Sequence, residues 1–211
     1  MRGLRVARGD CGLKNGKVLL TGAAGFIGRM LREHWGDRFD LRLADVVPIE
    51  GAEHESVTFD AADYASMRTA CEGVETVIHL AADPRMQAEF YESLLSRNVI
   101  ATYNAFQAAH EAGCKRIVFA SSVNAVLGHE DITPVPWDST VYPINVYGAT
   151  KCWGEALGRV YAHTHNSEFP RSRVALGGST ALARTRSVGS SSHSGWLSDA
   201  FGWPRAWGNA E

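Results

Sequence analysis

The stretch Lys17-Val18-Leu19-Leu20-Thr21-Gly22-Ala23-Ala24-Gly25-Phe26-Ile27-Gly28 decides the fold. A short apolar run ends at glycines, as a buried parallel strand does. Phe26, Ile27, Met30, Leu31 and Trp35 then recur at helical spacing, with Arg29, Arg32 and Glu33 on the opposite side. A glycine turn between strand and helix aims backbone N–H groups and a helix N-terminus at one point, where a diphosphate can be held. Gly22 permits the tight turn, Gly25 the approach of a ligand, and Gly28 the close packing of helix on strand. The spacing G-x-x-G-x-x-G is one residue longer than the G-x-G-x-x-G dinucleotide fingerprint.

Strand and helix signals alternate onward from this point. Leu41–Asp45, Val57–Asp60, a segment within Val74–Ala82, and Arg116–Ala120 read as strands. A long helix is predicted from about Met86 to Ala112, with Phe90, Leu94, Tyr103 and Phe106 among its apolar positions. Another begins near Val146 and carries Trp153, Leu157 and Tyr161. The alternation predicts an α/β fold, a Rossmann-type doubly wound parallel sheet with helices on both faces. Asp45 lies 23 residues after Gly22 at a strand end, where a carboxylate accepts hydrogen bonds from ribose hydroxyls and repels a 2′-phosphate. This favours NAD over NADP. Asp60 is a candidate partner for the adenine amino group.

A second motif, Tyr147-Gly148-Ala149-Thr150-Lys151, puts a phenol and an ammonium at i and i+4 on one helix face. A free tyrosine with pKa about 10 is a poor base at neutral pH, and a neighbouring ammonium stabilises its phenolate. Ser121-Ser122, directly after the fifth strand, offers a hydroxyl at the same sheet edge. Arg85 follows the fourth strand and is a candidate for a substrate carboxylate or phosphate, or a solvated loop residue.

Composition narrows the function classes. With 45% apolar and 21% charged residues among 211, the chain is long enough for one substantial domain and little more. A net charge of −2 gives no footprint for a nucleic-acid partner. No window approaches the roughly 18 apolar residues of a membrane span. The basic start of the chain lacks the apolar stretch of a secretory signal. Cys11, Cys71, Cys114 and Cys152 are scattered, which predicts reduced thiols in a cytoplasmic protein. His129-Glu130-Asp131 and His163-Thr164-His165 could be imagined as metal ligands but read as a solvent loop and a helix end, and no metal site is expected. His79 reads as a buried structural histidine.

Residues 1–16 are expected to form a flexible arm, 17–166 the nucleotide-binding domain and 167–211 an atypical tail. From Glu168 to Asp199 no acidic residue follows the first, while Ser, Gly and Arg accumulate. Arg173–Leu176 is a weak sixth strand and nothing beyond it has a period. These signs predict a loss of reading frame near Asn166 to Arg173, or an unrelated, poorly ordered tail.

Taken together, Thr21–Gly28, Asp45, Asp60, His79-Leu80-Ala81-Ala82, Asn98, Ser121-Ser122 and Tyr147-x-x-x-Lys151 resemble the extended short-chain dehydrogenase/reductase family, or NAD-dependent epimerase/dehydratase family. The resemblance covers roughly Lys17 to His165. Its sugar dehydrogenases, the uronate dehydrogenase branch above all, are most similar, with Ala82-Asp83-Pro84-Arg85 resembling sugar or sugar-phosphate dehydrogenases. The resemblance implies Tyr147 as base, Lys151 as its pKa modulator and ribose contact, and Ser122 as partner of the substrate hydroxyl, with Ser121 as the alternative. It implies an NAD site formed by Gly22, Ala24, Gly25, Phe26, Ile27, Gly28, Asp45, Asp60, Ala61, Leu80, Ala81, Ala82, Asn98, Tyr147 and Lys151. Val123 and Asn124 occupy substrate-contacting positions where uronate dehydrogenases carry Asn-His. The family's C-terminal substrate-binding part is largely missing from this chain.

The implied activity is NAD-dependent oxidation of a sugar CH–OH group, on a uronate, aldose or sugar phosphate. A nucleotide-sugar epimerase or dehydratase is the alternative, and an NAD-binding fragment without turnover the second. The expected partner is a small sugar, and assembly into a homo-oligomer is left open.

Overall fold

A computed structural model describes residues 16–129, 135–136, 139–164, 173–175 and 182–184. Five parallel strands form the sheet: β1 (Lys17–Thr21), β2 (Leu41–Asp45), β3 (Glu55–Thr58), β4 (Val74–His79) and β5 (Arg116–Ser121). Two three-residue strands, β6 (Arg173–Ala175) and β7 (Leu182–Arg184), extend it in the order β3-β2-β1-β4-β5-β6-β7. Only β7 runs antiparallel. The sequence gives no sign of β7, since three residues are too few to display a period. The arm, most of the tail and the expected loss of frame lie outside the described residues.

Adjacent positions of one strand feed opposite layers. Leu19, with Val77, Ile117 and Phe119, packs toward α2 (Tyr64–Ala70), α3 (Ala101–Glu111) and α4 (Val146–Thr164). Val18 and Leu20, with Leu41, Leu43 and Ile78, pack toward Leu31 and Trp35 of α1 (Phe26–Trp35). Both faces of β1 are therefore dry, which explains its unbroken apolar run.

Two elements and two side-chain orientations differ from the sequence reading. β3 is set two residues earlier than Val57–Asp60, because its ladder pairs Glu55–Thr58 with Arg42–Asp45. Glu55 is fixed there by Lys17 and Arg42, each at 2.7 Å, which hold its carboxyl below the usual range. Asp60 consequently lies in the turn after the strand, accepting from Ala62 N at 2.9 Å. The single helix expected over 86–112 is instead a π-helix, Phe90–Ile100, running into α3. Its wide winding begins where Leu94 N donates to Glu89 O, five residues back. Tyr103 and Trp153 face outward, 45% and 40% exposed, although they share the apolar spacing of their helices.

Candidate active site

The strand order reverses between β1 and β4, and crevices for ligands open at such a switch point, outside the carboxyl ends of the strands. A cleft of about 340 Å³ lies there, lined by Gly22, Ala24, Gly25, Asp45, Asp60, Ala61, Leu80, Ala81 and Ala82 among others. Nine sequence-derived candidates thus share one cavity.

The turn needs its glycines for two separate reasons. Gly22 has φ +70, and a Cβ on it would stand 2.7 Å from Ala81 N. A Cβ on Gly28 would stand 2.4 Å from Gly22 O, so α1 can lie against the turn only while that position is bare. Asp45 braces the loop from the neighbouring strand: its Oδ2 accepts from Ala24 N at 2.9 Å and its Oδ1 from Val47 N at 3.3 Å. Phe26, 73% exposed, and Ile27, half-buried, lie outside the cleft lining.

The second constellation sits at the end of β5 and on the first turns of α4. Ser122, Tyr147 and Lys151 are all buried. The Ser122 side chain is near enough to the Tyr147 phenol to act on its ionisation, and its Oγ accepts from the backbone and side-chain nitrogens of Asn124, each at 3.2 Å. Ser121 points elsewhere, donating to Glu155 Oε1 at 2.6 Å. Asn124 is committed internally as well, since its Oδ1 accepts from Asn145 at 2.8 Å. Asn145 in turn caps α4 by accepting from Gly148 N at 2.7 Å. Val123 is half-buried in the 3₁₀ turn Val123–Ala125.

Lys151 Nζ donates to Ala120 O at 3.0 Å and lies 5.0 Å from the Phe119 ring centroid and 5.6 Å from that of Tyr147. Burial pushes this ammonium down to about 8. The Tyr147 phenol is raised, chiefly by desolvation; the Ser122 side chain opposes this and the Asp83 charge adds to it. Lys151 is not among the groups that shift this phenol. Its head donates to a main-chain carbonyl and lies over the face of the Tyr147 ring.

Asn98 does not face the cleft. Its side chain accepts from Asp83 N at 2.8 Å and donates to Asp83 O and Thr150 Oγ1, joining the post-β4 loop to α4. Asp83 was not singled out from sequence, yet it is buried and accepts from Ser93 and Arg85. Arg85 is the cation that holds its carboxyl far below the usual range, while the Arg85 side chain remains 69% exposed. His79 is buried beside Thr21, with Nδ1 2.8 Å from Thr21 Oγ1, and desolvation lowers it to about 3. Among the described residues, no group of three or more His, Cys, Asp or Glu is arranged to hold a metal ion, and no helix is long and apolar enough to cross a membrane.

Known proteins are similar to this chain in sequence and fold. An NAD-dependent glucose-6-phosphate dehydrogenase of Haloferax volcanii is 37% identical over 176 residues, covering 74% of this chain and 67% of its own length. A uronate dehydrogenase of Pseudomonas putida is 33% identical over 162 residues, covering 75% and 60%. The crystal structure of uronate dehydrogenase from Agrobacterium tumefaciens superposes with TM-score 0.66 at 32% identity, covering 75% of this chain and 60% of that one. A mutant of that enzyme complexed with NAD superposes equally well, at 31% identity. The chain thus spans about two thirds or less of the length of these relatives. The sequence model of one family covers residues 18–175, from β1 through β6. With the glycine turn, the Asp45 strand end and the Ser122, Tyr147 and Lys151 cluster all inside that match, the chain belongs to the NAD dependent epimerase/dehydratase family.

Proposed function

We propose that this chain is the nucleotide-binding part of an NAD-dependent oxidoreductase acting on a CH–OH group of a sugar. The observation that carries the reading is a juxtaposition. One sheet edge bears both a cleft built for a dinucleotide and a buried serine–tyrosine–lysine cluster. The residues fit NAD: Gly22 and Gly28 keep side chains out of the phosphate turn, and Asp45 stands where ribose hydroxyls would lie. When bound, NAD supplies the acceptor for a hydride.

The chain's own groups handle the proton and the substrate oxygen. Ser122 Oγ, fixed by Asn124, orients the substrate hydroxyl toward Tyr147. Tyr147 Oη receives the hydroxyl proton as the carbonyl forms. Lys151, buried and easily reoriented on its flexible stem, turns from Ala120 O toward the phenolate and the nicotinamide ribose. Arg85, braced by Asp83 and still open to solvent, receives an acidic group of a uronate or sugar phosphate.

NADH formation followed across free sugars, uronates, sugar phosphates and nucleotide sugars tests the reading. Accumulation of NADH with an acidic or neutral free sugar supports it. Interconversion of a nucleotide sugar without net NADH identifies an epimerase or dehydratase instead. An absence of NAD binding to the folded chain overturns both.

A further inference from the structure

Sixteen residues line the cleft, and two of them, Asp45 and Asp60, are carboxylates. A dinucleotide diphosphate would add two more negative charges to that space. Backbone N–H groups and the partial charge of a helix end soften this repulsion but do not remove it. Arg97 is the single cation in the lining. It lies near the C-terminal end of the π-helix, next to Asn98, which is 2% exposed and fastened to Asp83 and Thr150. The backbone beneath Arg97 is therefore anchored while its side chain is exposed. No ion pair to Arg97 occurs among the described residues, so its guanidinium is not already spent on a carboxylate.

We infer that Arg97 is a diphosphate-binding residue of the cleft, reaching across from the π-helix to the side opposite the glycine turn. A guanidinium suits this task because its planar donors match two phosphate oxygens at once. The inference rests on the dinucleotide reading and adds to it a side-chain contact that the glycine motif does not encode.

Calorimetry of the full 211-residue chain with adenosine, AMP, ADP and 2′-AMP tests it. Arg97→Gln should leave adenosine affinity unchanged, which also reports an intact fold, and weaken ADP about 10- to 100-fold. The salt dependence of ADP binding should flatten in the same variant. Arg97→Lys should recover part of the loss, through charge without the paired geometry. Unchanged ADP affinity in Arg97→Gln overturns the assignment and leaves the dinucleotide reading standing. A loss confined to 2′-AMP also overturns it, since the arginine would then serve a ribose phosphate. Failure of the unmodified chain to bind ADP or NAD overturns the dinucleotide reading, and the assignment with it.

Discussion

Ser121 donates a 2.6 Å hydrogen bond to Glu155, a carboxylate with only 5% of its side chain exposed, so the adjacent Ser122 alone faces Tyr147. Two neighbouring serines therefore belong to different jobs. Ser122→Ala should lower kcat about 100- to 1,000-fold, in line with loss of a positioned donor. Ser121→Ala should leave kcat within a few-fold and cost about 1–2 kcal/mol of stability, since a buried carboxylate loses a donor. Steady-state kinetics and urea unfolding of both variants check this. A larger kcat loss in Ser121→Ala would reverse the assignment.

Tyr147→Phe removes one oxygen and keeps the ring against Lys151. Turnover should fall by 100-fold or more while the NAD dissociation constant moves by less than about threefold. Because burial raises the phenol, the rate of the unmodified chain should climb toward alkaline pH. A near-normal kcat in Tyr147→Phe would show that another group takes the proton.

Lys151 costs the fold stability because its ammonium is buried. Its ordinary value of 10.5 falls to about 8 on burial. Between those values the unfolded chain holds a proton that the folded chain lacks, so stability rises with pH across that window. Below about pH 8 the cost is present in full. Lys151→Met should stabilise the ligand-free protein by about 2 kcal/mol at pH 7, an advantage that fades as pH approaches 10.5. The same variant should bind NAD more weakly. Chemical denaturation at pH 7 and 9.5 measures the first effect; a destabilised variant at pH 7 would contradict it.

Asp45 braces Ala24 N, and the proposed function gives it the ribose as a second partner. Asp45→Asn keeps an acceptor for that N–H and removes the charge. NAD should bind several-fold more weakly and NADP more tightly, narrowing the preference. Preference of the unmodified chain for NADP would refute the role given to this carboxylate.

How far the sequence reaches depends on the kind of information involved. The five strands and the helical layers follow from local runs such as Val18-Leu19-Leu20, because parallel strands are apolar throughout; their order in the sheet does not. The glycine turn and Asp45 are local too, and both line the cleft; the Tyr147 and Lys151 pair is set by helical spacing within α4. Long-range choices are different. Glu155 decides which serine faces Tyr147 from 34 residues away, and Asp83 binds Asn98 across 15. Neither partner has a periodic or spaced signature. The raised Tyr147 phenol has a related origin: helical spacing brings Lys151 to the same face, but burial governs the phenol and the Ala120 carbonyl holds the lysine head.

Gly148 touches the backbone carbonyl of Asn124 so closely that a Cβ would lie 2.3 Å from its oxygen. The helix carrying Tyr147 is thereby seated on the turn after Ser122 by main chain against main chain. No side chain intervenes whose exchange could lengthen the gap. The distance between the two hydroxyls is thus insulated from drift elsewhere in the core, where Leu157 or Phe106 can be swapped for residues of similar volume. Evolutionary repacking of the scaffold and conservation of the chemistry can then proceed independently, provided this one position stays without a side chain.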